Sequence, residues 1–380
     1  MSTWKTLLTN VASNAEEKFD QLSDRLRQRL GSDRPLLIIP YNGYATAEHL
    51  TLRARVLQDQ GTHTATDHDS RWDNLLNTYR HIGSREVAHA IIRAQLGEYT
   101  ADFTANDEGY VTIQLPLDQT SEVFSTWLEV QLSLVDESLA EPVTAVGRAL
   151  NLPTTAEFGV ISDIDDTVLQ SSATNYLRAA QLMFLHNART RLPFAGVAAL
   201  YQALSADGRN PIFYVSSSPW NLYELLTDFF DFQGLPAGPL FLKDYGITAD
   251  QFISSGHSKH KLTQIEEILA AYPHLPFVLM GDSGQKDPEI YAEVVAKYPD
   301  RIRAIYIRDA SADQRDLEVK AISEQLTADN IPTLFAPDSL SIAHHAASLG
   351  LIPVESIASV WIEEQKSTGE QGGRGAGETH

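Results

Sequence analysis

The feature that most constrains this chain is an apolar run that ends in carboxylates, at residues 158–169 (FGVISDIDDTVL). Continuous apolar residues around Val160 and Ile161 predict a strand buried on both faces, with the aspartates at its carboxyl end. Ligands of open α/β sheets bind beyond the carboxyl ends of the strands. Asp163 and Asp165 are two residues apart, so in extended chain both side chains point to the same face. Converging carboxylates are costly unless a cation lies between them. An Asp-Asp-Thr cluster that only caps a following helix is the alternative.

From Phe158 onwards, short apolar runs alternate with helical stretches. The runs are Pro211–Val215, Pro276–Met280, Ile302–Ile307 and Thr333–Phe335, and the clearest helical stretches are Leu262–Ala271 and Pro288–Lys297. This alternation is typical of a parallel sheet with crossover helices. It predicts an α/β domain with a Rossmann-like parallel sheet over residues 155–362, after a polar connection at 136–157. Residues 363–380 are rich in Gly, Glu, Gln, Ser and Thr, which predicts a disordered tail.

The N-terminal part has a different texture. Several short strand-like segments separated by turns predict a β-rich, sandwich-like domain at residues 33–150, in which we find no catalytic constellation. Residues 1–32 are predicted to contain an amphipathic helix, whose apolar stripe consists of Ala15, Phe19, Leu22, Leu26 and Leu30. We expect that helix to pack against the body or another subunit. Attachment to a membrane surface is the alternative, although its polar face mixes charges of both signs.

Composition excludes some classes of function. The net charge is −21, which argues against unaided nucleic-acid binding and disfavours electrostatic attachment to anionic lipid. The chain has no cysteine, so disulfides and thiolate metal sites are excluded. No apolar stretch approaches the roughly 20 residues of a membrane span, and the N-terminus does not resemble a signal peptide. We therefore expect a cytoplasmic protein, with peripheral membrane contact as an option and no identifiable protein partner.

Three of the predicted strands end in residues that can take part in catalysis, and the first of them is the run that ends in Asp163. The run at 212–215 ends in Ser216-Ser217-Ser218, and the run at 276–280 leads into Gly281-Asp282-Ser283. Asp287 follows just before a helix, and the start of another helix offers Lys259 and Lys261. The alternative for each serine or aspartate is that it only caps the following helix. Together they supply what phosphoryl transfer needs: oxygen ligands for Mg²⁺, a carboxylate nucleophile, an acid–base carboxyl group, and groups that neutralise phosphate charge.

This ordered set resembles the four motifs of the haloacid dehalogenase superfamily, and within it the catalytic domain of actin-patch type Mg²⁺-dependent phosphatidate phosphatases and their bacterial relatives. The resemblance covers residues 155–310 and rests on these segments in this order: 163–167 (DIDDT), 193–197 (PFAGV), 213–220 (FYVSSSPW), 235–239 (LPAGP), 242–243 (LK) and 281–284 (GDSG). It implies a parallel sheet of haloacid dehalogenase type with a minimal cap, because only about 50 residues separate the first two motifs. A helical segment at 176–185 would be a short flap.

The resemblance also implies a role for each motif residue. Asp163 would be the nucleophile and a metal ligand, and Asp165 the acid and base, with its carbonyl on Mg²⁺. Ser216 and Ser217 would bind phosphate with Thr167, which would also brace the loop. Lys261 would neutralise charge, with Lys259 as the second candidate. Asp282 would be a metal ligand. Asp287 would act behind the metal ligands or through a water molecule, and Asp166 would cap a helix.

The resemblance implies a Mg²⁺-dependent phosphatase that acts through a phospho-aspartyl intermediate on a lipid phosphate, phosphatidate, to give diacylglycerol. A soluble phosphate ester or a phosphoprotein as substrate is the first alternative, favoured by the acidic charge. A scaffold with a vestigial phosphatase fold is the second.

Overall fold

The computed structural model describes residues 35–58, 85–117, 126–136, 139, 141–165, 167–168, 194–243, 257–310 and 315–372. The predicted N-terminal helix, the predicted flap at 176–185 and Asp166 lie outside these residues. None of the described helices is long and apolar enough to cross a bilayer.

The first sheet has eight strands, seven of which follow one another in a hydrogen-bonded path. They are β1 (Leu36–Ala45), β2 (His49–Gln58), β3 (Arg85–Glu86), β4 (Ile91–Leu96), β5 (Tyr99–Thr104), β6 (Tyr110–Pro116), β7 (Trp127–Leu134) and β8 (Thr144–Leu150). The order is β3-β2-β1-β8-β7-β4-β5, and β6 pairs with β2. Buried and exposed residues alternate along β4, β6 and β7, so each strand turns one face to a core.

That core is shared by strands from distant parts of the path, since Leu52 of β2 and Ile113 of β6 lie in one cluster with Ile92 of β4 and Val130 of β7. The sheet therefore folds over itself. Two layers of strands enclose a core, as expected for a sandwich-like domain. The strands nevertheless form one continuous sheet, whereas a sandwich has two separate sheets. Strand β8 lies within the predicted β-rich range of 33–150 but also within the stretch predicted to be a polar connection, 136–157, so the connection is shorter than predicted. Gly147 and Arg148 interrupt the apolar pattern of β8.

The second sheet has six parallel strands in the order β11-β10-β9-β12-β13-β14. They are β9 (Gly159–Asp163), β10 (Ile212–Pro219), β11 (Leu240–Lys243), β12 (Phe277–Asp282), β13 (Ile302–Arg308) and β14 (Thr333–Ala336). Every residue of β9 and β12 is buried, as the apolar runs predicted. Successive residues serve opposite faces: Val160 packs in one core cluster and Ile161 in the other.

Helices cover both faces of this sheet. They are α1 (Val197–Ser205), α2 (Tyr223–Gln233), α3 (His257–Ala271), α4 (Asp287–Lys297), α5 (Asp316–Ala328), α6 (Ser339–Ser348) and α7 (Ser356–Gly372). Leu200 of α1 and Phe230 of α2 pack on one face, and Ile265 of α3 and Val294 of α4 on the other. The prediction of an α/β domain with a parallel sheet is confirmed.

The α/β domain extends beyond residue 362, where the sequence predicted its end. Helix α7 continues to Gly372, into the segment predicted to be a disordered tail. Its Glu363 carboxylate accepts hydrogen bonds from the free amides of Ala198 and Ala199 at the start of α1, and Glu364 accepts one from Leu340 in α6. A sequence without apolar periodicity is thus held in place by helix-end amides.

Strand β1 joins the two sheets. Tyr41 belongs to the core on one face of the parallel sheet, and Tyr44 packs against the core on its other face. The β-rich part and the parallel-sheet part therefore share buried surface.

Candidate active site

The central strands of the parallel sheet bring the predicted motif residues to one edge. Asp163 ends β9, Asp282 ends β12, and Ser216 lies in the last part of β10. In the sheet, β9 lies between β10 and β12. Because all three strands run parallel, their carboxyl ends meet at the same edge, where open α/β folds bind their ligands.

Lys261 links two of the site's carboxylates. Its Nζ lies 2.9 Å from Oδ1 of Asp163 and also contacts Oδ1 of Asp287, and all three side chains are buried. Lys259, the second candidate, is exposed. Side chains two positions apart on a helix point to different faces, and of these two lysines only Lys261 faces the site.

The site gathers three buried carboxyl groups beside this ammonium. One carboxylate oxygen from each of Asp163, Asp282 and Asp287 lies within 4.8 Å of the other two. Burial raises the pKa of Asp163 well above its ordinary value; Lys261 opposes this, and Asp287, Asp282 and Asp165 add to it. Burial lowers the pKa of Lys261, but Asp163 and Asp287 outweigh it and raise that pKa overall. Lys261 is therefore an ammonium ion at neutral pH.

Asp165 is held by serines of the neighbouring strand. Its Oδ2 accepts hydrogen bonds from Ser216 Oγ at 3.0 Å and from Ser218 Oγ at 3.3 Å, and the Ser218 amide donates to Ser216 Oγ. Ser217 makes no side-chain hydrogen bond with the part of the chain that is described. Ser218 was not selected from the sequence, because a strand-end serine run does not reveal which hydroxyls turn inwards.

Gln285 connects the predicted ligands to one another, and sequence reasoning missed it. Its backbone N–H donates to Asp282 Oδ1 at 2.9 Å. Its Nε2 donates to Asp163 Oδ2 at 3.4 Å and to the backbone carbonyl of Asp165 at 3.3 Å. Two oxygens that accept from a single atom point towards a common position. The only sequence signal for Gln285 was its place between Asp282 and Asp287.

Two further residues shape the site. The Thr167 hydroxyl is buried and hydrogen-bonds to none of the described residues, so no bracing contact is seen for it within them. Gly281 is needed for space, because a Cβ atom there would overlap the Asp287 side chain. Asp287 also accepts a hydrogen bond from the Asp282 amide at 3.1 Å, which fixes the turn between β12 and α4.

These residues fit a divalent cation. Three buried carboxyl groups lie close together beside the Lys261 ammonium ion, and negative charge gathered in a protein interior is costly unless cations balance it. Carboxylate and carbonyl oxygens are the donors that Mg²⁺ prefers. Asp163, Asp282 and the Asp165 carbonyl supply such oxygens: Asp163 Oδ2 and the Asp165 carbonyl both face the Gln285 side-chain amide, and Asp282 Oδ1 accepts from the Gln285 backbone N–H.

Comparison with known families identifies a class for this segment. Residues 158–309, which contain every site residue described above, match the family model of the catalytic domain of phosphatidate phosphatase APP1. The match covers less than half of the chain and leaves out the eight-stranded sheet.

Two yeast proteins are similar over part of their length. Phosphatidate phosphatase APP1 of Saccharomyces cerevisiae is 30% identical over 219 residues, which is 57% of this chain and 36% of the yeast protein. An uncharacterized protein of Schizosaccharomyces pombe is 28% identical over 155 residues, which is 40% of this chain and 25% of that protein. The aligned region thus spans about a third of the length of these relatives or less.

Among solved structures, a carbohydrate acetylesterase from Xanthomonas citri is 10% identical, with a TM-score of 0.26 over 77% of this chain and 74% of that chain. A β-glucuronidase from Parabacteroides merdae has a TM-score of 0.25 over 79% of this chain and 38% of that chain, with 10% identity. Similarity at this level carries no information about function.

Proposed function

We propose that this protein is a Mg²⁺-dependent phosphomonoesterase of the haloacid dehalogenase type, with Asp163 as its nucleophile and phosphatidate as its substrate. The observation that carries the proposal is the buried group of Asp163, Lys261 and Asp282 beside the Asp165 carboxyl group. The match of residues 158–309 to a phosphatidate phosphatase catalytic domain supports the same reaction.

In the first step, an Asp163 carboxylate oxygen attacks the phosphorus atom and the bond to the ester oxygen breaks. Burial favours the neutral acid of Asp163, and Lys261 opposes this by favouring the carboxylate, the form that attacks. Asp165 donates a proton to the departing alkoxide, so that an alcohol leaves and the phosphoryl group remains on Asp163. The Ser216 hydroxyl donates to Asp165 in the structure; when Asp165 carries its proton and substrate is bound, that hydroxyl would donate to a phosphate oxygen instead.

In the second step, Asp165 is a carboxylate and takes a proton from a water molecule. That water attacks the phosphorus of the aspartyl phosphate, and the bond to Asp163 breaks. Inorganic phosphate leaves, Asp163 is again a carboxylate, and Asp165 again carries its proton. The sum is one ester and one water converted to one alcohol and one phosphate.

Asp163, Asp282 and the Asp165 carbonyl would hold the Mg²⁺ ion. When bound, the ion supplies positive charge for the phosphate oxygens and balances the buried carboxylates. Asp287 does not touch the substrate in this account, since it contacts Lys261 and the Asp282 amide. It keeps the lysine directed at Asp163.

The substrate assignment rests on similarity to phosphatidate phosphatases. A soluble phosphate ester or a phosphoprotein would suit the same chemistry, and the net charge of −21 favours a substrate that is not embedded in anionic lipid. We propose a cytoplasmic protein that contacts the membrane peripherally, and the residues that would make that contact lie outside the described part of the chain.

Phosphate release separates these substrates. Phosphatidate in mixed micelles and 4-nitrophenyl phosphate should be compared with Mg²⁺ and with a chelator. Mg²⁺-dependent turnover of phosphatidate, lost in Asp163→Asn, is the expected result. Turnover of the aryl phosphate alone would contradict the lipid substrate but keep the chemistry, and turnover of neither by folded protein would contradict the proposed function.

A further inference from the structure

The segment that holds Asp165 is not fixed by regular sheet pairing. The register between β10 and β11 shifts between Val215 and Pro219, so Ser216–Ser218 lie within an irregularity of the ladder. After them come Pro219, which pairs with Lys243 of β11, then Trp220 and then Tyr223, the first residue of α2. The position of the serines therefore depends partly on what holds Trp220 and Tyr223, which follow the segment.

The eight-stranded sheet supplies that support. Tyr41 of β1 stacks on Trp220 with ring centroids 5.2 Å apart and contacts Tyr223 at 4.3 Å. The guanidinium of Arg53 on β2 lies over the Trp220 ring, 4.7 Å from its centroid. The backbone amide of Asn42 also donates to the Tyr223 hydroxyl. Tyr41, Trp220 and Tyr223 are at most 7% exposed, so the contact is a closed aromatic cluster.

We infer that Tyr41 and Arg53 are positioning residues for phosphate binding, although neither lies in the segment that matches the catalytic-domain family. They fix Trp220, and Trp220 fixes the serines that hold Asp165. The inference rests on the proposed function, because it assigns phosphate binding to Ser216. The eight-stranded sheet thereby has a specific role in the site, since it completes the wall behind the phosphate-binding segment.

The structure offers a matched control on the same strand. Tyr44, three residues after Tyr41, also packs on the parallel-sheet part, against Phe241 at 5.7 Å, and its hydroxyl donates to Glu267. It contacts the other face of the sheet and is not part of the Trp220 cluster. Loss of Tyr44 weakens the docking of the two parts, whereas loss of Tyr41 also releases Trp220.

The test compares Tyr41→Leu, Arg53→Met and Tyr44→Leu with the native full-length protein. KM and kcat are measured with 4-nitrophenyl phosphate and Mg²⁺, and the Kd of inorganic phosphate by calorimetry. Tyr41→Leu and Arg53→Met should raise KM and the phosphate Kd about tenfold, because small displacements of positioned groups are costly. Tyr44→Leu should change both by less than about twofold, and Tyr41→Phe, which keeps the ring, should restore the native KM.

Equal changes in KM for Tyr41→Leu and Tyr44→Leu, or no change in either, would overturn the positioning role while native turnover upholds the proposed function. If Tyr41→Leu does not fold, the comparison of Arg53→Met with Tyr44→Leu tests the positioning role instead. Arg53→Met should fold, because Arg53 is only half-buried and methionine keeps much of its aliphatic length. A folded native protein that neither turns over the ester nor binds phosphate would overturn both proposals.

Discussion

The Nζ of Lys261 lies 2.9 Å from Oδ1 of Asp163, and both side chains are almost completely buried. The same ammonium contacts Asp287, so one positive charge serves two carboxylates, with Asp282 beside them. This relationship sets the electrostatics of the site. The ammonium favours the ionised form of Asp163, against burial, and in the proposed reaction this is the form that attacks phosphorus.

Removing the lysine should expose that imbalance. Lys261→Met leaves buried carboxylates without a counter-charge, so we expect a loss of about 3–5 kcal/mol in the free energy of unfolding. Removing a carboxylate as well, in Lys261→Met/Asp287→Asn, should recover part of the loss. Urea unfolding measures both. An equal loss in the single and double variants would contradict a charge effect.

Stability against pH should report the raised pKa of Asp163. A carboxyl group whose pKa is higher in the folded state contributes most to stability when the pH is below its pKa in the unfolded state. That contribution is lost as the pH rises through its pKa in the folded state. Without divalent cations, Asp163→Asn should therefore melt at a higher temperature than the native protein near about pH 7. The advantage should disappear near about pH 4, the range of an ordinary aspartate.

Thermal melts in a chelator across this pH range provide the measurement. Asp300→Asn, at an exposed carboxyl group, is the control and should show no such pH-dependent gain. A native protein that is more stable than Asp163→Asn at neutral pH without cations would contradict the electrostatic account.

Mg²⁺ should stabilise the native protein and lose that effect when a ligand is removed. At a hundred times its Kd, a ligand stabilises by about 2.7 kcal/mol, which a melting experiment resolves easily. Asp282→Asn removes a buried carboxylate from the group and should abolish most of the Mg²⁺-dependent shift. Equal shifts in Asp282→Asn and Asp300→Asn would show that Asp282 does not hold the ion.

Replacing Asp165 should separate the two chemical steps. The leaving group of 4-nitrophenyl phosphate needs little help from an acid, whereas the attacking water still needs a base. Asp165→Asn should therefore release about one equivalent of 4-nitrophenol per protein in a burst and then slow by about 10²–10⁴-fold. Rapid-mixing absorbance measures the burst. Unimpaired steady turnover would rule out Asp165 as the base.

The end of α7 should contribute to stability. A chain that stops at Ile362 lacks Glu363 and Glu364, whose carboxylates accept hydrogen bonds from the starts of α1 and α6. We expect a loss of about 1–2 kcal/mol in unfolding free energy, the size of a helix-cap effect. A chain that stops at Gly372 keeps these contacts and is the control. Equal stability of the two truncated chains would contradict the capping role.

The sequence was sufficient to place Asp163, Ser216 and Asp282 at one edge of a parallel sheet. Each follows an apolar run, and parallel strands bring their carboxyl ends together whatever the details of packing. Lys261 was favoured over Lys259 by resemblance alone. The structure adds the physical reason, since only Lys261 is buried against Asp163.

Other features depend on contacts between distant segments, which periodicity does not report. Gln285 becomes important only because the turn after β12 directs its amide at Asp163 and Asp165. Tyr41 and Trp220 are 179 positions apart in the printed sequence and meet only when β1 packs on the parallel sheet. Strand β8 and the end of α7 lack apolar patterns of their own, so tertiary contacts decide their conformation.

Mass spectrometry tests most directly whether Asp163 carries the phosphoryl group during turnover, as we propose. Asp165→Asn, mixed with 4-nitrophenyl phosphate and Mg²⁺ and quenched in acid, should yield a peptide whose Asp163 has gained one phosphoryl group. The same peptide from Asp163→Asn/Asp165→Asn should be unmodified. A burst of 4-nitrophenol without phosphorylated Asp163, or with the phosphoryl group on another residue, would contradict the account.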